Sequence, residues 1–140
     1  MIPVLRMIPE STTVHQAAQE GNIDTVEQML DSGTSIDAMD RKSRTALDLA
    51  AQQGHIAVVK VLLGRGARID TLDIDKNSPL YTAAQHGHRD VVKALLEKGA
   101  TPNASDNTNW TVLHFAAQNG HTEVSKVLLD RGTRDRKSVV

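Results

Sequence analysis

The stretch TALDLAAQQGHIAVVKVLLGRG, residues 45–66, decides the architecture. Thr45 suits a helix N-cap, because its hydroxyl can accept a hydrogen bond from an orphaned backbone N–H of the first turn. Ala46 to Ala51 then reads as a short apolar-periodic helix, in which Ala50-Ala51 lets a second backbone approach closely. Gly54 supplies the left-handed residue that ends such a helix. From Ile56 to Leu63 the apolar Val58, Val59, Leu62 and Leu63 follow the three-to-four spacing of a second helix. Arg65 suits its negative C-terminal end and Gly66 stops it. Two helices this short cannot bury their apolar faces alone; stacked copies can.

The copies are present. Gly21, Gly54, Gly87 and Gly120 are spaced by 33, as are Gly33, Gly66, Gly99 and Gly132. Ala17-Ala18, Ala50-Ala51, Ala83-Ala84 and Ala116-Ala117 recur in phase, and so do Leu30, Leu63, Leu96 and Leu129. Thr12, Thr45, Ser78 and Thr111 hold the cap position, with Pro79 at the favoured first helical place. About ten residues cross from each outer glycine to the next unit, with Ile36 or Ile69 turned inward and Asp37, Asp70 or Asn103 at the turn. This is hairpin chemistry. Asp40, Asp73 and Asp106 open the second, third and fourth units.

A period of 33 with these residues resembles the ankyrin repeat. Its T-P-L-H-x-A signature appears as Thr12 to Ala17, Thr45 to Ala50, Ser78 to Ala83 and Thr111 to Ala116. Its G-H-x-x-V-V-x-x-L-L-x-x-G signature appears from Gly54-His55 to Gly66, from Gly87-His88 to Gly99 and, with Ser125 at one valine place, from Gly120-His121 to Gly132. The resemblance implies an all-α solenoid of four stacked helix–turn–helix units with short projecting β-hairpin fingers. The units are read as residues 8–39, 40–72, 73–105 and 106–135, with a short tail at 136–140. It also implies recognition of a partner protein rather than catalysis. Where the family carries glycine two residues before the capping Thr, this chain has Ser43, Lys76 and Asn109. Asn tolerates a left-handed backbone better than Lys, so the finger between units three and four is expected to be the best formed. The family's His after the T-P-L triplet persists at His15 and His114 but gives way to Asp48 and Tyr81 in the middle.

Composition narrows the function classes. Of 140 residues, 16 are Lys or Arg and 17 Asp or Glu, a net charge of -1, which lacks the strongly basic footprint of a dedicated nucleic-acid binder. There is no cysteine, hence no disulfide framework, thiolate metal site or cysteine nucleophile. Aromatics are 2%, so Ala, Leu, Val and Ile must fill the interior. No apolar run is long enough to span a bilayer, and the chain reads as an intracellular, cytoplasmic monomer. No catalytic or phosphate-binding motif is present. The recurring His55, His88 and His121 lie one repeat apart, far beyond metal–nitrogen distance, and read as structural. The reading is therefore non-enzymatic, with no cofactor and no metal.

Candidate contact residues follow from exposure in the repeat register. Gln19, Gln52, Gln85 and Gln118 lie two residues before the inner glycine and form a row of amides along the concave face. Trp110 occupies a place that is Ser11, Arg44 and Asn77 in the other units, so it is expected on the surface, where Trp marks binding hot spots. Met39 and Leu72 share a finger position; with Ile74 and Tyr81 they make an apolar strip rimmed by charge. Arg41, Lys42 and Arg44 make the second finger basic, and Asp73 and Asp75 make the third acidic, favouring a partner that carries both signs. Asn77, His86, Asn107 and Asn119 complete the surface assigned to partner binding. The alternatives are nucleotide or nucleic-acid binding through Arg41, Lys42, Arg44 and Lys76, and a spacer within a larger protein.

Overall fold

A computed structural model describes residues 12–101 and 112–139. Its helices form four successive pairs: α1 (Val14–Glu20) with α2 (Ile23–Asp31), α3 (Ala46–Gln53) with α4 (Ile56–Gly64), α5 (Pro79–Gln85) with α6 (Arg89–Glu97), and α7 (Val112–Gln118) with α8 (Thr122–Val139). Helices α1, α3, α5 and α7 pack side by side as one layer, and α2, α4, α6 and α8 as the other. Each pair touches its neighbours in sequence, which makes an all-α repeat solenoid.

Local chemistry sets the helix ends. Thr45 caps α3 in a full capping box with Asp48, and Ser78 caps α5 by accepting from the Tyr81 N–H. Gly21, Gly54 and Gly87 all take positive φ, and so do the outer Gly33, Gly66 and Gly99. In the first unit the cap is Thr13, not Thr12: its extended backbone and hydroxyl bond to the Gln16 N–H start α1 one residue later than the repeat register predicts. Gly132 does not stop the last helix. α8 runs through it to Val139, across the stretch read as a tail. One glycine costs a helix only about 1 kcal/mol, and no proline follows it.

The core is built as the composition requires. Ala17, Ala18, Ala50, Ala51, Ala83 and Ala84 are fully buried between inner helices, and Val58, Val59, Leu62, Val91, Val92 and Leu95 are buried beneath the outer ones. Ile36 and Ile69 pack against this core from the crossing segments. Tyr81 corrects an expectation: it belongs to the core, at 4% exposed, not to a surface strip. It occupies the register place of Asp48, at the third position of an inner helix, and both side chains are buried there.

The histidines join the units. His55 Nε2 donates to the Gln19 carbonyl at 2.9 Å, His88 to Gln52 at 2.8 Å and His121 to Gln85 at 2.8 Å. A carbonyl oxygen only accepts, so the proton in each ring sits on Nε2. Further ties run from the Arg68 N–H to Asp37 Oδ1 at 3.0 Å and from the Ile74 N–H to the Lys42 carbonyl at 2.9 Å.

No strand is present among the described residues, so the fingers are turns rather than the β-hairpins expected. The opening aspartate organises each turn. The Asp40 N–H donates to the Arg44 carbonyl at 2.9 Å, the Ser43 N–H donates back to the Asp40 carbonyl at 3.0 Å, and the Arg44 N–H donates to the Asp40 carboxylate at 2.9 Å. Asp73 repeats this: its N–H donates to the Asn77 carbonyl at 3.0 Å, its carbonyl accepts from the Lys76 N–H at 2.9 Å and its carboxylate from the Asn77 N–H at 2.9 Å. The side chain thus adds to the backbone bonds of a tight turn. Ser43 and Lys76 sit at φ 60° and 68°, the left-handed places where the family carries glycine.

Candidate functional site

The inner ends of units two and three and their two fingers enclose a cleft of about 220 Å³. It is lined by Lys42, Arg44, Asp48, Gln52, Asp73, Ile74, Asp75, Asn77, Thr82, Gln85 and His86. Eight of these were singled out from sequence, and the fold brings them to one place because the 33-residue period stacks one finger on the next. The bond between Ile74 and Lys42 holds the two fingertips together at its rim.

The electrostatics of the cleft are organised by aspartates. Asp40 lies behind it, with Oδ2 on Arg44 Nε at 2.9 Å. Burial alone would raise its pKa; bonds from the backbone N–H groups of Arg44 and Lys42, with the Arg44 guanidinium, outweigh that and hold it below the usual carboxylate value. Asp48 differs. It is 4% exposed, and burial pushes its carboxyl up to about 6, against the bonds from Thr45 and with added repulsion from Asp73 and Asp40. Its Oδ2 accepts from the Thr45 N–H at 3.0 Å and the Thr45 hydroxyl at 3.2 Å. Oδ1 is buried with no hydrogen-bond partner among the described residues.

His86 donates from Nδ1 to the Thr82 carbonyl at 2.9 Å, and its ring stacks on His88 at 6.1 Å between centroids. The proton on Nδ1 leaves Nε2 of the neutral ring as an acceptor. The neighbouring concave groove, between units one and two, is more open and is lined by Thr13, His15, Gln16, Gln19, Met39, Asp40, Arg41, Arg44 and Leu49. His15 there donates to the Ala38 carbonyl at 2.8 Å.

The remaining candidates lie as follows. Met39, Leu72 and Ile74 are exposed at 52%, 49% and 62%, large for apolar side chains. Leu72 borders a second cleft with Ile69, Asp70, Ser78, Leu80, Gly99, Ala100 and Thr101. Gln118 and Asn119 are exposed at the end of α7, with Asn119 Nδ2 3.5 Å from the Gln85 carbonyl. Asn107 and Trp110 lie outside the described residues, as does the finger between units three and four. The basic set Arg41, Lys42, Arg44 and Lys76 is interleaved with acid: Arg44 is paired to Asp40, and Asp73 and Asp75 share the cleft with Lys42.

Sequence reading passed over Asp48 and Thr82 as members of this cleft and took Asp73 only as acidic charge on the third finger. The signal for Asp48 was available: an acid inside the apolar run Ala46-Leu47-Asp48-Leu49-Ala50, at a place held elsewhere by His15, Tyr81 and His114. Among the described residues, no group of three or more His, Asp or Glu is placed to hold a metal ion, and no helix is long and apolar enough to cross a membrane.

A family model described as ankyrin repeats (3 copies) matches residues 6–73 and again 66–137. No curated protein matches the chain.

Proposed function

The chain belongs to the ankyrin-repeat family, whose members are in general protein–protein interaction modules, and from that premise we propose that it is a non-enzymatic recognition module. It docks a partner protein on the concave cleft of units two and three and on the fingers beside it. The observation that carries this reading is the trio Met39, Leu72 and Ile74. Three large apolar side chains stand about half exposed on consecutive fingers, with Ile74 lining the polar cleft of mixed charge and Leu72 and Met39 lining the two neighbouring ones. Such an apolar centre with a charged rim is the anatomy of an interface. Trp110, a candidate from its place in the repeat, lies outside the described residues and is included in the test.

The test is quantitative capture of partner from native lysate, with wild type against Leu72→Ala, Ile74→Ala and Trp110→Ala. Each variant is expected to keep its helical circular dichroism and to weaken binding by more than ~1 kcal/mol. Undiminished capture by all three would overturn the assignment, and a pull-down that retains nothing reproducibly would favour a spacer. Binding that collapses steeply with salt would instead point to a polyanion on Arg41, Lys42 and Lys76.

A further inference from the structure

We propose that the cleft between units two and three takes one cationic side chain of the bound protein, arginine or lysine, held over Asp48. This rests on the recognition reading above and names the chemistry that the cleft selects. The first observation is the carboxylate itself. Asp48 is almost wholly buried, lines the cleft, and satisfies only one of its two oxygens internally. A buried acceptor left unpaired is destabilising, and the natural remedy is a donor arriving from outside.

The second observation is the sign of the field. Burial comes first among the causes that raise the Asp48 carboxyl, and the charges that act on it are those of Asp73 and Asp40, both negative. Arg44, the nearest guanidinium in sequence, is committed to Asp40. Oδ1 of Asp73 accepts from the backbone N–H groups of Asp75 and Asn77 at 2.8 and 2.9 Å, which holds this carboxylate at the cleft wall. Lys42 and Arg44 also line the cleft, Arg44 already paired to Asp40, so three carboxylates, Asp48, Asp73 and Asp75, stand against two cations and the lining keeps an excess of negative charge.

Size and donor pattern select the occupant. At about 220 Å³ the cleft is smaller than the ~300–1,000 Å³ typical of small-molecule sites, and suits a single side chain. The carboxylates do not converge as metal ligands do. A guanidinium presents five N–H donors in a planar fork, and Asp48, Gln52, Gln85 and the Nε2 of His86 offer acceptors around it. Since Oδ1 is itself covered, Asp48 acts on the bound cation through its field.

The test is a random-peptide display library panned on the full chain. Selected peptides are expected to carry Arg or Lys at one fixed position, and to bind about tenfold or more weakly when that residue is replaced by citrulline, the neutral isostere of arginine, or alanine in place of lysine. Asp48→Asn and Asp48→His, each checked for native helicity, are expected to weaken the same peptides equally. The histidine variant restores the residue type that His15 and His114 hold. Peptides that lose affinity on Ile74→Ala but are indifferent to Asp48 and to the charge swap would overturn this inference and leave the recognition reading intact. A fixed acidic residue, dependent on Lys42, would overturn it too. A library that yields no binder would overturn both. Should the Asp48 variants fail to fold, the neutral-isostere peptide still decides, because only the ligand is changed.

Discussion

The imidazole of His88 occupies the space that a side chain on Gly54 would need: a Cβ there would lie 2.6 Å from Nδ1. The same ring donates from Nε2 to the Gln52 carbonyl at 2.8 Å, so it can move away only by breaking the tie between units. Gly54 also sits at φ 74°, where an L side chain is strained. Gly54→Ala is therefore expected to cost about 2–4 kcal/mol, combining that strain with the displaced ring. Urea unfolding measures it, and a loss no larger than that of an exposed Gly→Ala would refute the account.

Lys76 is the converse case. It holds φ 68° with no glycine to ease it. A left-handed non-glycine residue costs roughly 1–2 kcal/mol, and glycine gives back part of that through its freer unfolded chain. Lys76→Gly is expected to stabilise the protein by about 0.5–1 kcal/mol. Ser43→Gly, at φ 60°, should do the same. A shift in the urea midpoint to lower concentration for both would contradict this.

Asp48 couples stability to pH with a definite sign. Its folded value, about 6, lies above the ordinary carboxylate value of 3.8, so the native state holds this proton more tightly than the unfolded chain does. The group's stabilising contribution is full below 3.8, falls as pH rises through the window from 3.8 to about 6, and is absent above it. The linked penalty at neutral pH is on the order of 3 kcal/mol. Asp40 acts in the opposite sense: its contribution is present above the ordinary value and lost as pH falls through its lower folded one. Asp48→Asn keeps an oxygen for the Thr45 cap and removes the titration. Its unfolding free energy should vary less across that window than the wild type's, and identical slopes would reject the assignment.

The Arg65–Asp31 pair should matter little despite its 2.9 Å distance, because its side chains remain 37% and 66% exposed. Asp31→Asn is expected to change stability by less than about 0.5 kcal/mol, and less still in high salt. A larger loss by thermal unfolding would show that this contact does more than a solvated pair can.

The helix pairs were readable because a glycine that ends a helix and an apolar residue that faces a neighbour are both local demands, and each recurs every 33 residues. The recurring Gly-His dipeptides announced a joint structural role, although the partner of each ring, a glutamine carbonyl one unit back, is visible only in the stack. Asp48 escaped because a carboxylate three residues after a capping Thr is ordinary on any helix; its burial is a property of the neighbouring unit. Tyr81 was misplaced because burial at this register place varies along the stack: His15 is half-buried and His114 exposed, so spacing alone does not decide it. The tight turns of the fingers, in which the Asp40 and Asp73 carboxylates bond backbone N–H groups beside the backbone pairs, are a matter of geometry that spacing does not show.

One consequence follows from the way His55, His88 and His121 each clasp only the unit before them. Among the described residues no hydrogen bond ties the first unit to the last. Tension applied at the two termini would peel the molecule from an end, one module at a time, like a row of press-studs, and the middle modules, with a neighbour on either side, would be the last to let go.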